Sequence, residues 1–294
     1  MIEINGDAMK SKNIISMDDF SKEEIEKMFS VTDELKERNI PKNGKTAALL
    51  FNRPSTRTHV SFAVALQHMG YESIYLDYVF TQMVRGEQLK DSAKAISQYV
   101  ELIIARLVPH HMLEEFVQHS DVPVVNAGSD NEHPCQALGD LYTLKKAGKL
   151  KTGNVIAFIG DPQDAVANSL AIGAMKLGLK FIYICPQGYE PLNKKAGVSH
   201  IISGVKGASA IYTNAWARET SGDVDPKRMR DLLSYQLNKE VLLHAPDALI
   251  MHPLPATRGL EISDEMIDSK NSVVWKQVKN RLYVQKAVIN MLEK

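Results

Sequence analysis

Cysteine is nearly absent: the 294-residue chain has two, Cys135 and Cys185, and neither belongs to a Cys-x-x-Cys pair. That excludes a disulfide framework and a thiolate zinc site, and it predicts a reducing, cytoplasmic setting. No apolar run approaches the ~20 residues needed to cross a bilayer, and Met1 to Lys12 carries no apolar signal core. No charge of one sign prevails. With 35 Lys and Arg against 35 Asp and Glu and no long basic block, the chain lacks the electrostatic footprint of a nucleic-acid or anionic-membrane binder. There is no Gly-x-x-x-x-Gly-Lys-Ser/Thr, and Phe158-Ile159-Gly160-Asp161 is not followed by Gly-x-Gly-x-x-Gly. Repeats and low-complexity tracts are missing too. What remains is a chain that is 44% hydrophobic, long enough for two domains, and suited to a small-molecule partner.

The apolar pattern predicts an α/β protein. Strand-type runs recur at Thr46–Phe51, Ser73–Leu76, Leu102–Ala105 and Val122–Asn126, with helical periodicity near Ser21–Arg38, His59–Met69, Asp91–Val100 and His110–His119 between them. A second set follows at Asn154–Ile159, Lys180–Cys185, Ala210–Thr213 and Leu249–His252, with helices near Asp164–Leu177, Pro226–Ser234 and Asn238–His244. Such alternation predicts two doubly wound parallel-sheet domains. A last helix, roughly Lys276 to Leu292, is expected to return to the first domain. The predicted division is therefore 1–146, 147–275 and the returning segment 276–294, with a hinge near Ala147–Gly153.

In open parallel sheets, ligands sit outside the carboxyl ends of the strands, so the residues after each strand carry the functional reading. Ser55-Thr56-Arg57-Thr58 follows the first strand at the mouth of a helix, where unpaired backbone N–H groups and the macrodipole favour an anion. Three hydroxyls and a guanidinium add donors. The plainer alternative is a Ser N-cap with incidental threonines. Arg106 follows the third strand, His133-Pro134-Cys135-Gln136 the fourth, and His252-Pro253-Leu254-Pro255 the last. Arg106 also reads as a strand-end surface arginine, His133 and His252 as turn residues, and Cys135 as a small buried residue. Arginines, hydroxyls, a His and a Gln without an acidic cluster do not make a magnesium site. They suit a phosphate leaving group next to a polarised carbonyl, which is acyl-phosphate chemistry.

Ser55-Thr56-Arg57-Thr58, His133-Pro134-Cys135-Gln136 and His252-Pro253-Leu254-Pro255, in that order, resemble the three signatures of the aspartate/ornithine carbamoyltransferase family. The resemblance runs over essentially the whole chain. Gln82-Met83-Val84-Arg85-Gly86-Glu87 followed by Lys90-Asp91 resembles the family's swinging loop, and Asn280-Arg281-Leu282 its closing arginine segment. Tyr235-Gln236-Leu237-Asn238, Arg258-Gly259 and Asn271-Ser272-Val273-Val274 are more similar to the ornithine branch than to the aspartate branch.

This resemblance implies a carbamoyltransferase acting on L-ornithine to give L-citrulline and phosphate, without metal or cofactor. It implies a homotrimer, or a multiple of trimers, with shared active sites. Ser55, Thr56, Arg57 and Thr58 would hold the phosphate of carbamoyl phosphate, Arg106 would bridge phosphate and carbonyl oxygen, and Arg281 would reach the phosphate. His133 and Thr58 would donate to the carbonyl oxygen. Gln136 and the backbone of Pro253 and Leu254 would take the carbamoyl amide, and Gln82 would come from the neighbouring chain.

The acceptor side departs from the pattern. The ornithine branch has a Gly-Asp segment followed by paired asparagines, an Asp-x-Trp-x-Ser-Met-Gly loop and His-Cys-Leu-Pro. Here the corresponding residues are Asp164-Ala165, Asn214-Ala215-Trp216-Ala217-Arg218-Glu219-Thr220, and Pro253 in place of cysteine. Asn214 for Asp removes a negative charge and Arg218 for Ser adds a positive one. Asp164, Asn214 and Arg218 are therefore the candidate acceptor residues. Three readings stay open: ornithine held through rearranged contacts, another amine such as aspartate or a further anionic amine, and a catalytically silent homologue that binds carbamoyl phosphate.

Overall fold

The computed structural model describes residues 13–216 and 225–293. The chain forms two units, one of Met1–Cys135 with Arg281–Lys294 and one of Gln136–Asn280.

In the first unit, β1 (Thr46–Phe51), β2 (Glu72–Asp77), β3 (Leu102–Arg106) and β4 (Val124–Asn126) form a parallel sheet in the order β2-β1-β3-β4. β3 is buried throughout and β1 everywhere but its first residue, which is why both read as continuous apolar runs rather than alternating ones. Four helices, α1 (Lys22–Leu35), α2 (Thr56–His68), α3 (Leu89–Ser97) and α4 (His110–His119), accompany them. Ala48, Leu50, Ile103, Ala105, Leu113 and Phe116 pack into one core, where burying a side chain the size of Phe116 contributes about 2–3 kcal/mol.

α1 shows how local sequence sets an element. Ser21 accepts from the Glu24 N–H at 3.1 Å while the Glu24 carboxylate accepts from the Ser21 N–H at 2.7 Å, a reciprocal cap that fixes the start of the helix. Its other end is completed by Lys286, a fully buried amine that donates to the carbonyls of Leu35 (2.6 Å), Lys36 (3.2 Å) and Arg38.

In the second unit, β5 (Val155–Ile159), β6 (Lys180–Ile184), β7 (Gly197–Ser199), β8 (Ala210–Tyr212) and β9 (Leu249–Met251) form a parallel sheet ordered β7-β6-β5-β8-β9. The apolar pattern predicts four strands here, and the described residues form five. β7 escapes it because it is a three-residue, mostly exposed edge strand opening on glycine. The helices are α5 (Pro134–Lys146), α6 (Ala165–Lys176), α7 (Pro226–Leu232), α8 (Lys239–Leu243), α9 (Asp264–Ile267) and α10 (Val274–Leu292). α5 begins in the first unit, and α10 passes into it from Arg281 onward.

Both strand orders reverse direction at one place, between β1 and β3 in the first sheet and between β5 and β8 in the second. At such a reversal the loops leaving neighbouring strands diverge and leave a crevice at their carboxyl ends. Ser55–Thr58 and Arg106 lie at the first of these points, and Asp164 and Asn214 at the second.

Candidate active site

The first crevice is built from α2 upward. Ser55 occupies the N-cap position but makes no side-chain cap; its hydroxyl donates instead to Thr58 Oγ1 at 2.8 Å. The plain N-cap reading therefore does not describe this helix. Thr58 is buried, and its Oγ1 also accepts from Nη2 of Arg281. A hydroxyl oxygen has two acceptor sites and one proton, so with both sites engaged Thr58 keeps its O–H as a donor.

Arg106 ends β3 in register with Phe51, the last residue of β1, and it is buried. Its Nη1 donates to the Ala127 carbonyl at 3.3 Å. The loop after β4 is shaped by Asn126, which donates to the carbonyls of Ile15 (2.9 Å) and Glu132 (3.2 Å) and accepts from the Gly128 N–H (2.9 Å). Gly128 has φ +120°, and a Cβ there would stand 2.2 Å from Arg106 Nη1 and 3.1 Å from the ring of His133. Arg106 and His133 therefore meet over a glycine.

His133 is buried beside two cations. Desolvation, then the Arg281 and Arg106 guanidiniums, hold its imidazolium pKa well below the ordinary 6.5, so it is a neutral ring with one N–H to donate. Burial pushes the Cys135 thiol up to about 12, which makes it a poor nucleophile. Arg57 is half-buried, while Thr56 and Gln82 are exposed. The first unit thus brings together Ser55, Thr58 and Arg281, and Arg106 with His133, the Arg281 guanidinium acting on both groups at a helix N-terminus.

In the second unit Gln136 is buried in the first turn of α5 and donates to Asp140 Oδ1 at 2.9 Å. His252 is fully buried: its Nδ1 accepts from the Leu254 N–H at 2.9 Å, so its proton sits on Nε2, which meets Glu261 Oε1 at 3.2 Å. Held this way, Leu254 adopts φ +58°, a left-handed backbone uncommon outside glycine. His252 shapes the loop rather than pointing out of it.

At the second crevice, Asp164 caps α6 through the Ala167 N–H (2.8 Å), and its other oxygen accepts from Asn214 Nδ2 (2.8 Å). Asp161 is paired with Arg228 of α7, so the half-buried Asp164 is the carboxylate adjoining Asn214. Gly160, at φ +128°, makes room for the indole of Trp216, whose nitrogen would stand 2.8 Å from a Cβ. Arg218 lies outside the described residues. Asn126, Gly128, Asp140 and Glu261 shape these loops without belonging to any of the motifs above. Only Gly128, a turn residue, carried any local signal.

Among the described residues no cluster of His, Cys, Asp or Glu could hold a metal ion, and no helix is long and apolar enough to cross a membrane.

Residues 12–146 match the profile of the carbamoyl-P binding domain of aspartate/ornithine carbamoyltransferase, and residues 152–292 match its Asp/Orn binding domain. An ornithine carbamoyltransferase of Pyrococcus abyssi is 38% identical, with 97% of this chain and 96% of the relative covered. One from Ignicoccus hospitalis is 39% identical over 97% and 99%. Among solved structures, the ornithine carbamoyltransferase of Thermus thermophilus superposes with a TM-score of 0.89 at 36% identity, covering 97% of this chain and 99% of that one. That of Pyrococcus furiosus gives 0.89 at 36%, over 97% and 98%.

Proposed function

The chain belongs to the aspartate/ornithine carbamoyltransferase family, and from that premise we propose that it transfers the carbamoyl group of carbamoyl phosphate to L-ornithine, giving L-citrulline and phosphate. The observation that carries this reading is the cluster at the start of α2, where Thr58 receives both Ser55 and Arg281. Ser55, Thr56, Arg57, Thr58 and Arg281 hold the phosphate, and Arg106 spans phosphate and carbonyl oxygen. Thr58 and neutral His133 donate to that oxygen, while Gln136 and the backbone of Pro253 and Leu254 take the carbamoyl amide. Attack by an amine moves negative charge onto the carbonyl oxygen, and fixed donors there stabilise the transition state more than the ground state. No side-chain nucleophile is required, and the departing phosphate can accept the amine's proton.

Ornithine is favoured by Asp164. Asn214 lacks the expected charge, but its amide is hydrogen-bonded to the Asp164 carboxylate, so a negative group to meet an ammonium stands beside it. We read 1–146 as the carbamoyl-phosphate domain, 147–275 as the acceptor domain and 276–294 as the returning helix. The enzyme is a cytoplasmic homotrimer, with Gln82 reaching a neighbouring chain's site. Val79, Phe80 and Val84, 60%, 87% and 54% exposed around Gln82, support such a contact. The name of the Pyrococcus furiosus relative, an anabolic ornithine carbamoyltransferase, supports the synthetic direction toward arginine.

Purified protein incubated with carbamoyl phosphate and a panel of amines tests the reading through phosphate release and citrulline formation. Turnover with ornithine is expected. Turnover with aspartate alone, or none with any amine, would overturn it.

A further inference from the structure

Asp140 is fully buried and accepts hydrogen bonds from Gln136 Nε2 (2.9 Å) and Gln277 Nε2 (2.9 Å) on Oδ1 and from the Tyr212 hydroxyl (2.7 Å) on Oδ2. Gln277 in turn accepts at Oε1 from the His252 N–H at 3.0 Å. A backbone N–H only donates and a carboxylate oxygen readily accepts, so the orientation of the Gln277 amide is fixed from both ends. From His252 the chain of bonds continues to the Leu254 N–H. One carboxylate therefore sits at the root of two branches, a short one to Gln136 and a longer one to the His-Pro-Leu-Pro loop.

Each branch ends by disposing of a donor. One N–H of the Gln136 Nε2 points to Asp140, and this turns the amide so that its oxygen lies on the side away from that carboxylate. Pro253 has no N–H, and that of Leu254 is held by His252, so the loop backbone can offer only carbonyls. A carbamoyl –NH2 presents two N–H donors and is matched only by acceptors. A glutamine turned the other way would confront it with N–H against N–H.

We propose that Asp140 is a positioning residue that sets the amide orientation of Gln136 and, through Gln277 and His252, the loop of Pro253 and Leu254, so that both present acceptors to the carbamoyl –NH2. The inference rests on the reading that these residues bind the carbamoyl amide. The bond from Tyr212, at the end of β8, stops the carboxylate from rotating out of this arrangement.

Asp140→Asn is close to isosteric but replaces one acceptor oxygen by a donor. It should raise KM for carbamoyl phosphate about tenfold to a hundredfold, as expected of a misplaced binding group. Inhibition by inorganic phosphate, which has no carbamoyl group, should be unchanged. Gln136→Ala should weaken carbamoyl phosphate similarly, and the double variant should lose less than the sum of the two single losses, because the shorter branch is already gone in Gln136→Ala. Parallel loss of phosphate and carbamoyl phosphate would reduce Asp140 to a structural role and overturn the proposal. So would a normal KM in Asp140→Asn alongside a raised one in Gln136→Ala, leaving the carbamoyl reading intact. An unaffected Gln136→Ala would instead overturn the carbamoyl reading of Gln136. Should Asp140→Asn not fold, Gln277→Met cuts the longer branch alone and is expected to give the same split between the two ligands; an unchanged KM there also overturns the proposal.

Discussion

Gly128 lies so close under the guanidinium of Arg106 that a Cβ on it would stand 2.2 Å from Nη1. The glycine is required twice, for its φ of +120° and for the space its missing side chain leaves. Gly128→Ala should push Arg106 out of place, lowering kcat/KM about a hundredfold while costing about 1–3 kcal/mol of stability. Steady-state kinetics beside a thermal melt separates the two effects; unchanged kinetics would remove Arg106 from the site.

Arg281 reaches Thr58 across most of the sequence, and both side chains are buried. Arg281→Lys keeps the charge and loses the planar fork, and a bidentate anion site does not tolerate that exchange. Carbamoyl-phosphate turnover should fall about tenfold in Arg281→Lys and about a hundredfold or more in Arg281→Ala. Equal activity in wild type and Arg281→Ala would detach α10 from phosphate binding.

His133 has its proton affinity lowered on folding, which fixes the sign of its contribution to acid stability. Well above pH 6.5 the ring is neutral in both states and contributes nothing to the pH dependence. Below it the unfolded chain takes up a proton that the folded one refuses, so stability drops by up to about 1.4 kcal/mol per pH unit from this group. Between pH 6.5 and 5.5, urea unfolding should show wild type losing about 1 kcal/mol more than His133→Gln. Identical losses would contradict the burial of the ring between two guanidiniums.

Asp164→Asn retains a good N-cap for α6 and removes only the charge. KM for ornithine is expected to rise tenfold or more, about the loss of one ion-paired hydrogen bond, with KM for carbamoyl phosphate unchanged. If ornithine binding is indifferent to the substitution, the ammonium is met elsewhere.

Phe80 is 87% exposed. In a homotrimer the Phe80→Asp variant should lower the mass measured by light scattering at micromolar concentration and reduce activity with it, because Gln82 is then withdrawn from its neighbour. A wild-type mass near the 32.8 kDa of one chain would reject the shared site.

Much of this was legible in the sequence because the signals are local. Five of the six residues of β1 are buried, so Thr46–Phe51 reads as an apolar run, and polar residues directly after such a strand mark a ligand loop. The helices near Asp164–Leu177 and Asn238–His244 are equally visible in the sequence, and in the structure each opens on a capping residue. β7 left no pattern, since an exposed three-residue edge needs none. The bond between Gln277 and Asp140 joins positions 137 residues apart, and no periodicity encodes that. His252 reads from sequence as a ligand or a turn residue; that its ring instead holds the Leu254 backbone follows only from where Glu261 arrives.

Lys286 and Arg281 lie near the end of the chain, yet they complete α1 and the start of α2 near its beginning. The first unit counts Arg281–Lys294 among its residues, so it cannot be finished during synthesis of its own first 135. On the ribosome the intervening unit is made before the last turns of α10 exist, and the phosphate site cannot close until Arg281 has been added. A chain cut short before Arg281 carries the phosphate loop but lacks both the guanidinium that meets Thr58 and the amine that completes α1.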